Sequence, residues 1–158
     1  MKKQGFSANP DLHFLIFKDL VPADLVKAVE SVYHTTGIPS HYFDTPGKYA
    51  IVAHDVIYFD AHGRRHRVPR GTISDGGTIP RILRASVGAP FSSPYLLAYI
   101  IHDHYAQHSR DIADKRDRKN LRLHADQLLY EMVIYLGAGW IKRHALYRGV
   151  RIGAMFEK

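Results

Sequence analysis

Seven consecutive positions, Tyr95-Leu-Leu-Ala-Tyr-Ile-Ile101, are apolar or aromatic, and they run straight into His102 and Asp103. A run with no polar gap predicts a buried helix. Ser92 or Ser93 is the expected cap, with Pro94 at the first helical position and the end near His108. Residues 109–119 are densely charged and are expected to form a solvated connection. Leu121, Ala125, Leu128, Leu129, Met132 and Leu136 then recur at helical spacing, predicting a helix over about 120–136 that Gly137 and Gly139 end. A last helix is predicted over about 140–152, with Trp140, Ile141, Ala145, Leu146 and Val150 as its apolar positions.

The first half has a different texture. Residues 1–11 suggest a loose arm, and Leu12 to Phe17 a short strand. Pro22 suits the first turn of a helix carrying Leu25, Val26, Val29, Val32 and Tyr33, which Gly37 and Pro39 stop. Tyr49 to Asp60 is rich in β-branched and aromatic residues and predicts one continuous strand. Ala61-His-Gly-Arg64 follows as a hairpin turn, with Gly63 supplying positive φ, and Arg65 to Pro69 is the returning strand. Gly76-Gly77 marks a tight turn preceded by Asp75. Thr78 is placed to cap a short helix near Pro80, anchored by Ile82, Leu83 and Val87. The pattern predicts an α+β fold: a small β-hairpin or sheet followed by a helical bundle whose central helices pair antiparallel. Residues 1–47 are expected to be an extension, a short strand plus a helix, on a core domain over 48–158.

Composition adds limits. The chain has 158 residues, enough for one domain or one with an appendage, and no cysteine, which rules out disulfides, thiolate metal sites and a cysteine nucleophile. A net charge of +7 favours an anionic partner: an envelope component first, nucleic acid second. The densest basic stretch is His62, Arg64, Arg65, His66, Arg67 and Arg70, expected mainly as a solvated hairpin face. No apolar stretch follows the basic start, so no signal peptide is expected, and no segment is apolar for long enough to span a membrane. Nothing in the pattern speaks to oligomeric state.

The chemistry-bearing residues cluster on the central helices. His102 and Asp103 end a buried run, where unpaired charge is costly, so each needs a partner. Adjacent helical positions diverge by about 100°, so the two are expected to point to different partners and His104 to point outward. Asp126 lies at the edge of the next helix's apolar stripe, within reach of a neighbouring helix, and His124 lies at the opposite edge. Asp75 projects from the glycine turn. Two chemistries follow. In one, Asp75, His102, Asp103 and Asp126 supply ligands to a divalent cation such as zinc, which activates water. In the other, His102 is a general base oriented by Asp126, while Asp103 with turn carbonyls holds calcium. The plain alternative is a buried histidine bonded to an aspartate that only fixes helix packing. Tyr99, Tyr105 and Tyr147 are expected as core aromatics, His54 and Asp55 as an incidental pair on a strand, and Arg151 as the partner of an internal carboxylate. P-loop, nucleophile-elbow and zincin motifs are absent.

Several motifs together resemble domain of unknown function 1353, a family of bacteriophages and prophages. They are Val68-Pro-Arg-Gly71, Ser74-Asp-Gly-Gly-Thr-Ile-Pro-Arg81, His102-Asp103, Ala125-Asp126 and Tyr147-Arg-Gly-Val-Arg-Ile-Gly153. The resemblance covers roughly residues 48–153 and departs at Ser74, Gly77, Thr78 and around Tyr105. The family's recurrent polar residues fall on Asp75, His102, Asp103 and Asp126, which implies a working site there. The helix pair is also similar to that of secreted phospholipases A2, where a histidine-aspartate pair serves as base and calcium ligand and a second aspartate orients the histidine. The disulfides and the calcium loop of those enzymes are missing here.

The resulting expectation is a small phage- or prophage-type hydrolase, assisted by a divalent cation (zinc or calcium) and acting on the bacterial envelope, peptidoglycan or lipid. His102 and Asp126 are its catalytic residues. It would be made in the bacterial cytoplasm and delivered or released by a phage-like system. The alternative is a non-catalytic phage structural or accessory protein with a buried His/Asp network.

Overall fold

A computed structural model describes residues 3–6, 15–17, 50–74 and 94–156. The chain divides into two compact units, 1–75 and 76–158. The expected helices after Pro22 and near Pro80, the Ser92/Ser93 cap, the glycine turn and Asp75 lie outside the described residues.

The described residues of the first unit form antiparallel β-structure. Its strands are β1 (Gly5–Phe6), β2 (Leu15–Phe17), β3 (Ala50–Val52), β4 (Val56–Phe59), β5 (Arg65–Val68) and β6 (Ile73–Ser74). They form two three-stranded sheets, ordered β1-β4-β5 and β2-β3-β6. The β4–β5 register pairs Val56 with Val68 and Tyr58 with His66. Alternation places those four side chains on one face, and all four are buried. Phe6 packs its ring 5.0 Å from that of Tyr58.

The continuous strand expected over Tyr49 to Asp60 is instead two strands in different sheets. Residues 53–55 break the ladder. The Asp55 carboxylate there accepts from Arg67 Nε at 2.6 Å and the Arg70 amide at 2.9 Å. Next to this break, β3 turns to Gly71 and Thr72, with Gly71 N donating to Val52 O at 2.7 Å. The His54-Asp55 pair is therefore not incidental in its aspartate, which holds the far end of the hairpin.

The hairpin turn forms as expected, with Gly63 at φ 75°. Its organiser is Asp60, which is fully buried. The carboxylate accepts from the amides of His62 and Arg64, from Arg64 Nε at 2.6 Å and from His66 Nε2 at 3.2 Å. Burial alone would raise the Asp60 pKa, but the bonds from Arg64, His66 and His62 outweigh it and hold the carboxyl well below the usual range. Part of the basic stretch is thus tied down by Asp60 and Asp55 and is not simply a solvated face.

The described residues of the second unit form three helices, α1 (Leu96–Arg110), α2 (Lys115–Tyr135) and α3 (Trp140–Phe156). With the sheets before them they give the α+β arrangement. Helix α1 begins two residues after Pro94 and has no side-chain cap. Helix α2 begins well before Asn120, because Asp114 caps it, accepting from Arg116 N at 2.8 Å and Asp117 N at 2.9 Å. It ends in a Schellman motif: Gly137, at φ 84°, donates to Ile134 O, and Ala138 donates to Val133 O. The side chains that meet fix the packing as antiparallel: His102 with Asp126 and Tyr105 with His124 between α1 and α2, then Asp126 with Arg151 and Tyr130 with Tyr147 between α2 and α3. Tyr99, Ile100, Ile101, Leu129, Met132, Val133 and Leu146 are the buried centre. Leu146 and Val150 of α3 enter it, whereas Trp140 and Ile141 do not and are exposed.

Candidate functional site

The apolar run of α1 carries His102 into the bundle. Its Nε2 lies 2.9 Å from Asp126 Oδ1. An ionised carboxylate only accepts, so Nε2 carries the proton and donates. The other oxygen, Asp126 Oδ2, accepts from Arg151 Nη1 at 2.9 Å. One carboxylate at the middle of α2 thus joins all three helices. The remaining ring nitrogen, His102 Nδ1, faces Asp103 Oδ1 at 3.6 Å. The backbone directions of His102 and Asp103 diverge, but their side chains turn back toward each other.

His102, Asp103 and Asp126 are only 3%, 4% and 0% exposed. Burial alone would lower the His102 pKa. The bonds from Asp103 and then Asp126 outweigh it, so the imidazole holds its proton more tightly than a free histidine. For Asp126 burial would raise the pKa, but His102 and Arg151 outweigh it and keep the carboxylate ionised.

His104 departs from expectation. It is buried, not outward, because the first half of α1 is buried around its whole circumference. Its Nδ1 has no hydrogen-bond partner, and its ring lies 4.3 Å from that of His108 and 5.7 Å from that of Tyr105. Burial, helped by His108, lowers its pKa to about 4, so it stays neutral. His124 meets the Tyr105 ring edge-on at 5.6 Å.

The structure therefore brings together three residues singled out in the sequence, His102, Asp103 and Asp126, and adds Arg151 as the clamp on Asp126. The family model described as a protein of unknown function (DUF1353) matches residues 50–150. The chain belongs to this family. The DUF1353 match includes the β3–β6 strands and all three site residues just named. Two curated relatives, both from Sinorhizobium fredii (strain NBRC 101917 / NGR234), are similar over part of the chain. The uncharacterized protein y4jT is 38% identical over 53 residues, covering 34% of this chain and 16% of its own. The uncharacterized protein y4iH is 34% identical over 64 residues, covering 39% of this chain and 27% of its own. The chain thus spans under a third of the length of either relative. No solved structure matches it.

Among the described residues, no group of three or more His, Asp or Glu side chains is arranged to hold a metal ion. Asp126 has both oxygens engaged, and His102 Nε2 is spent on one of them. Among the described residues no helix is long and apolar enough to cross a membrane.

Proposed function

We propose that this DUF1353 protein is a small phage- or prophage-borne hydrolase in which His102 is the general base. The observation that carries the reading is the orientation of the imidazole. Nε2–H is committed to Asp126, which fixes the tautomer and leaves Nδ1 as the nitrogen that exchanges protons. Arg151 holds Asp126 from behind, so the base is oriented by a carboxylate that is itself pinned. In this reading Nδ1 takes the proton of a water as the water oxygen attacks a carbonyl or phosphoryl centre. It then returns the proton to the leaving oxygen or nitrogen as that bond breaks.

Asp103 controls whether Nδ1 can do this. Its charge beside Nδ1 favours the protonated ring, and a cation bound at Asp103 would offset that charge and free the lone pair. A hard divalent cation shared by Asp103, calcium better than zinc on an all-oxygen site, would when bound polarise the substrate oxygen. Calcium is therefore the cation this reading takes in preference to zinc. The envelope, peptidoglycan or lipid, is the proposed substrate class, supported by the net charge of +7.

The experiment is release of soluble product from purified peptidoglycan and from phospholipid vesicles, with calcium and with chelator. Release that needs the cation and is lost in Asp103→Asn supports the reading. Release that chelator leaves untouched removes the cation from it.

Near-complete burial of all three side chains favours a second reading, a non-catalytic accessory protein whose polar network fixes helix register. It expects no product from either substrate under any condition, with full thermal stability of the wild type.

A further inference from the structure

A surface on α3 is left over by both readings. Ile141, Arg148, Ile152 and Met155 lie seven, four and three residues apart. At about 100° per residue they fall within an arc of about 60° and form a line about 21 Å long. All four are exposed, Ile141 by 78% and Met155 by 81%. Single exposed apolar residues are ordinary, but a line of them along one helix is not. Trp140 stands exposed at one end of the line, and Ile134 and Tyr135 at the end of α2 are exposed as well.

Within α3 itself the charged side chains are all basic. Residues 140–156 contain Lys142, Arg143, Arg148 and Arg151 and no acidic residue. Arg151 is committed to Asp126, Lys142 lies over the Tyr95 ring and Arg143 falls on the far side of the helix, whereas Arg148 lies within the exposed line itself. An apolar stripe with a cation in it and a tryptophan at its end fits a helix lying in the headgroup region of an anionic bilayer. A second copy of the chain fits less well. A two-fold contact along this line would bring the two copies of Arg148 toward each other on a protein already carrying +7.

We infer that α3 docks on an anionic phospholipid surface through Ile141, Ile152, Met155 and Trp140, with Arg148 contacting the headgroups. The helix lies along the surface and does not cross it. The surface is separate from His102, so docking does not depend on catalysis.

Trp140 is the chain's single tryptophan, so its emission reports this face alone. The full chain is titrated with vesicles of phosphatidylcholine and of phosphatidylcholine with phosphatidylglycerol. Binding to the anionic vesicles, a blue shift of Trp140 emission and weakening by salt are expected. Ile152→Glu with Met155→Glu should weaken binding by at least about tenfold, and Arg148→Glu should reduce the preference for anionic vesicles. Both positions are exposed, so folding is checked by an unchanged melting temperature. The proposal is overturned if the folded wild type ignores anionic vesicles, binds neutral ones equally or loses nothing in the double variant. Self-association that shields Trp140 without lipid also overturns it and assigns the face to a second copy. Product release is not part of this readout. Vesicle binding without hydrolysis would sink the hydrolase reading alone, and hydrolysis of peptidoglycan without vesicle binding would sink only this one.

Discussion

Arg151 reaches from the last helix to Asp126 on the middle one, its Nη1 2.9 Å from Oδ2, on the carboxylate whose other oxygen holds His102. The Asp126 side chain is fully buried, whereas that of Arg151 is 37% exposed. A carboxylate shut away from water depends on both donors, while the guanidinium keeps some contact with solvent. The two ends of this pair therefore differ in what their loss costs.

Replacing Asp126 by Asn leaves Arg151 and a protonated His102 short of a counter-charge. The expected cost is about 3 kcal/mol, the range for breaking a buried pair. Arg151→Met should cost less, on the order of 1 kcal/mol, because part of that bond is screened. Urea unfolding of both variants and the double variant measures the coupling, which should be clearly non-additive. Additive losses would mean that the two residues do not act together.

His102 and His104 sit two residues apart and titrate in opposite directions. The His102 pKa is raised, so its contribution is complete below the unfolded value and is lost as pH rises through the folded value. His104 is the reverse. Its pKa is lowered from 6.5 to about 4, so the unfolded chain takes up a proton first. Its neutral burial stabilises fully above the unfolded value and loses up to about 3 kcal/mol as pH falls toward 4. Asp126 adds a loss only at still lower pH, below the ordinary carboxyl value. His104→Leu should flatten the dependence of unfolding free energy on pH between 6.5 and 4. A variant with the wild-type slope would contradict this assignment.

Asp114 starts α2 by accepting two amide protons. Asp114→Ala should lower stability by about 1 kcal/mol. Hydrogen exchange should show the first turn of α2, at Arg116 and Asp117, opening more readily while the amides around Asp126 stay protected.

Asp60 holds the β4–β5 hairpin through four bonds from His62, Arg64 and His66. Asp60→Ala removes a buried carboxylate and leaves buried His66 without this partner. A loss on the order of 3 kcal/mol is expected, seen as a lowered midpoint for the strand unit by far-UV circular dichroism. An unchanged midpoint would return the basic stretch to a merely solvated face.

The helix pair and its polar contact were legible in the sequence for a physical reason. An unbroken apolar run has to be buried, and ionisable residues at its end have to find partners. Asp126 was visible as a carboxylate at the edge of an apolar stripe, and Arg151 as a cation on the following helix needing an acid. His104 was misjudged because helical-wheel reasoning assumes one outward face, whereas residues 95–104 are buried without interruption. The break in the strand at 53–55 was hidden because Val52 and Val56 both favour strands, while the Asp55 contacts with Arg67 and Arg70 beside it are long-range. Two further signals lie in the sequence: Asp60 at the head of a glycine-containing turn, and Asp114 just before a charged helical stretch. Trp140 and Ile141 were counted with the apolar positions of their helix although they lie off the line of Leu146 and Val150.

The central claim is that His102, oriented by Asp126, takes a proton from water. It is tested most directly by product release from purified peptidoglycan and phospholipid vesicles, comparing wild type with His102→Gln. Gln keeps a polar side chain of similar reach but cannot act as a base near neutral pH. The account predicts release by the wild type that rises with pH and falls at least about 100-fold in the variant, with cooperative melting retained. Undiminished release by a folded His102→Gln, or none from either substrate by the folded wild type, would contradict it.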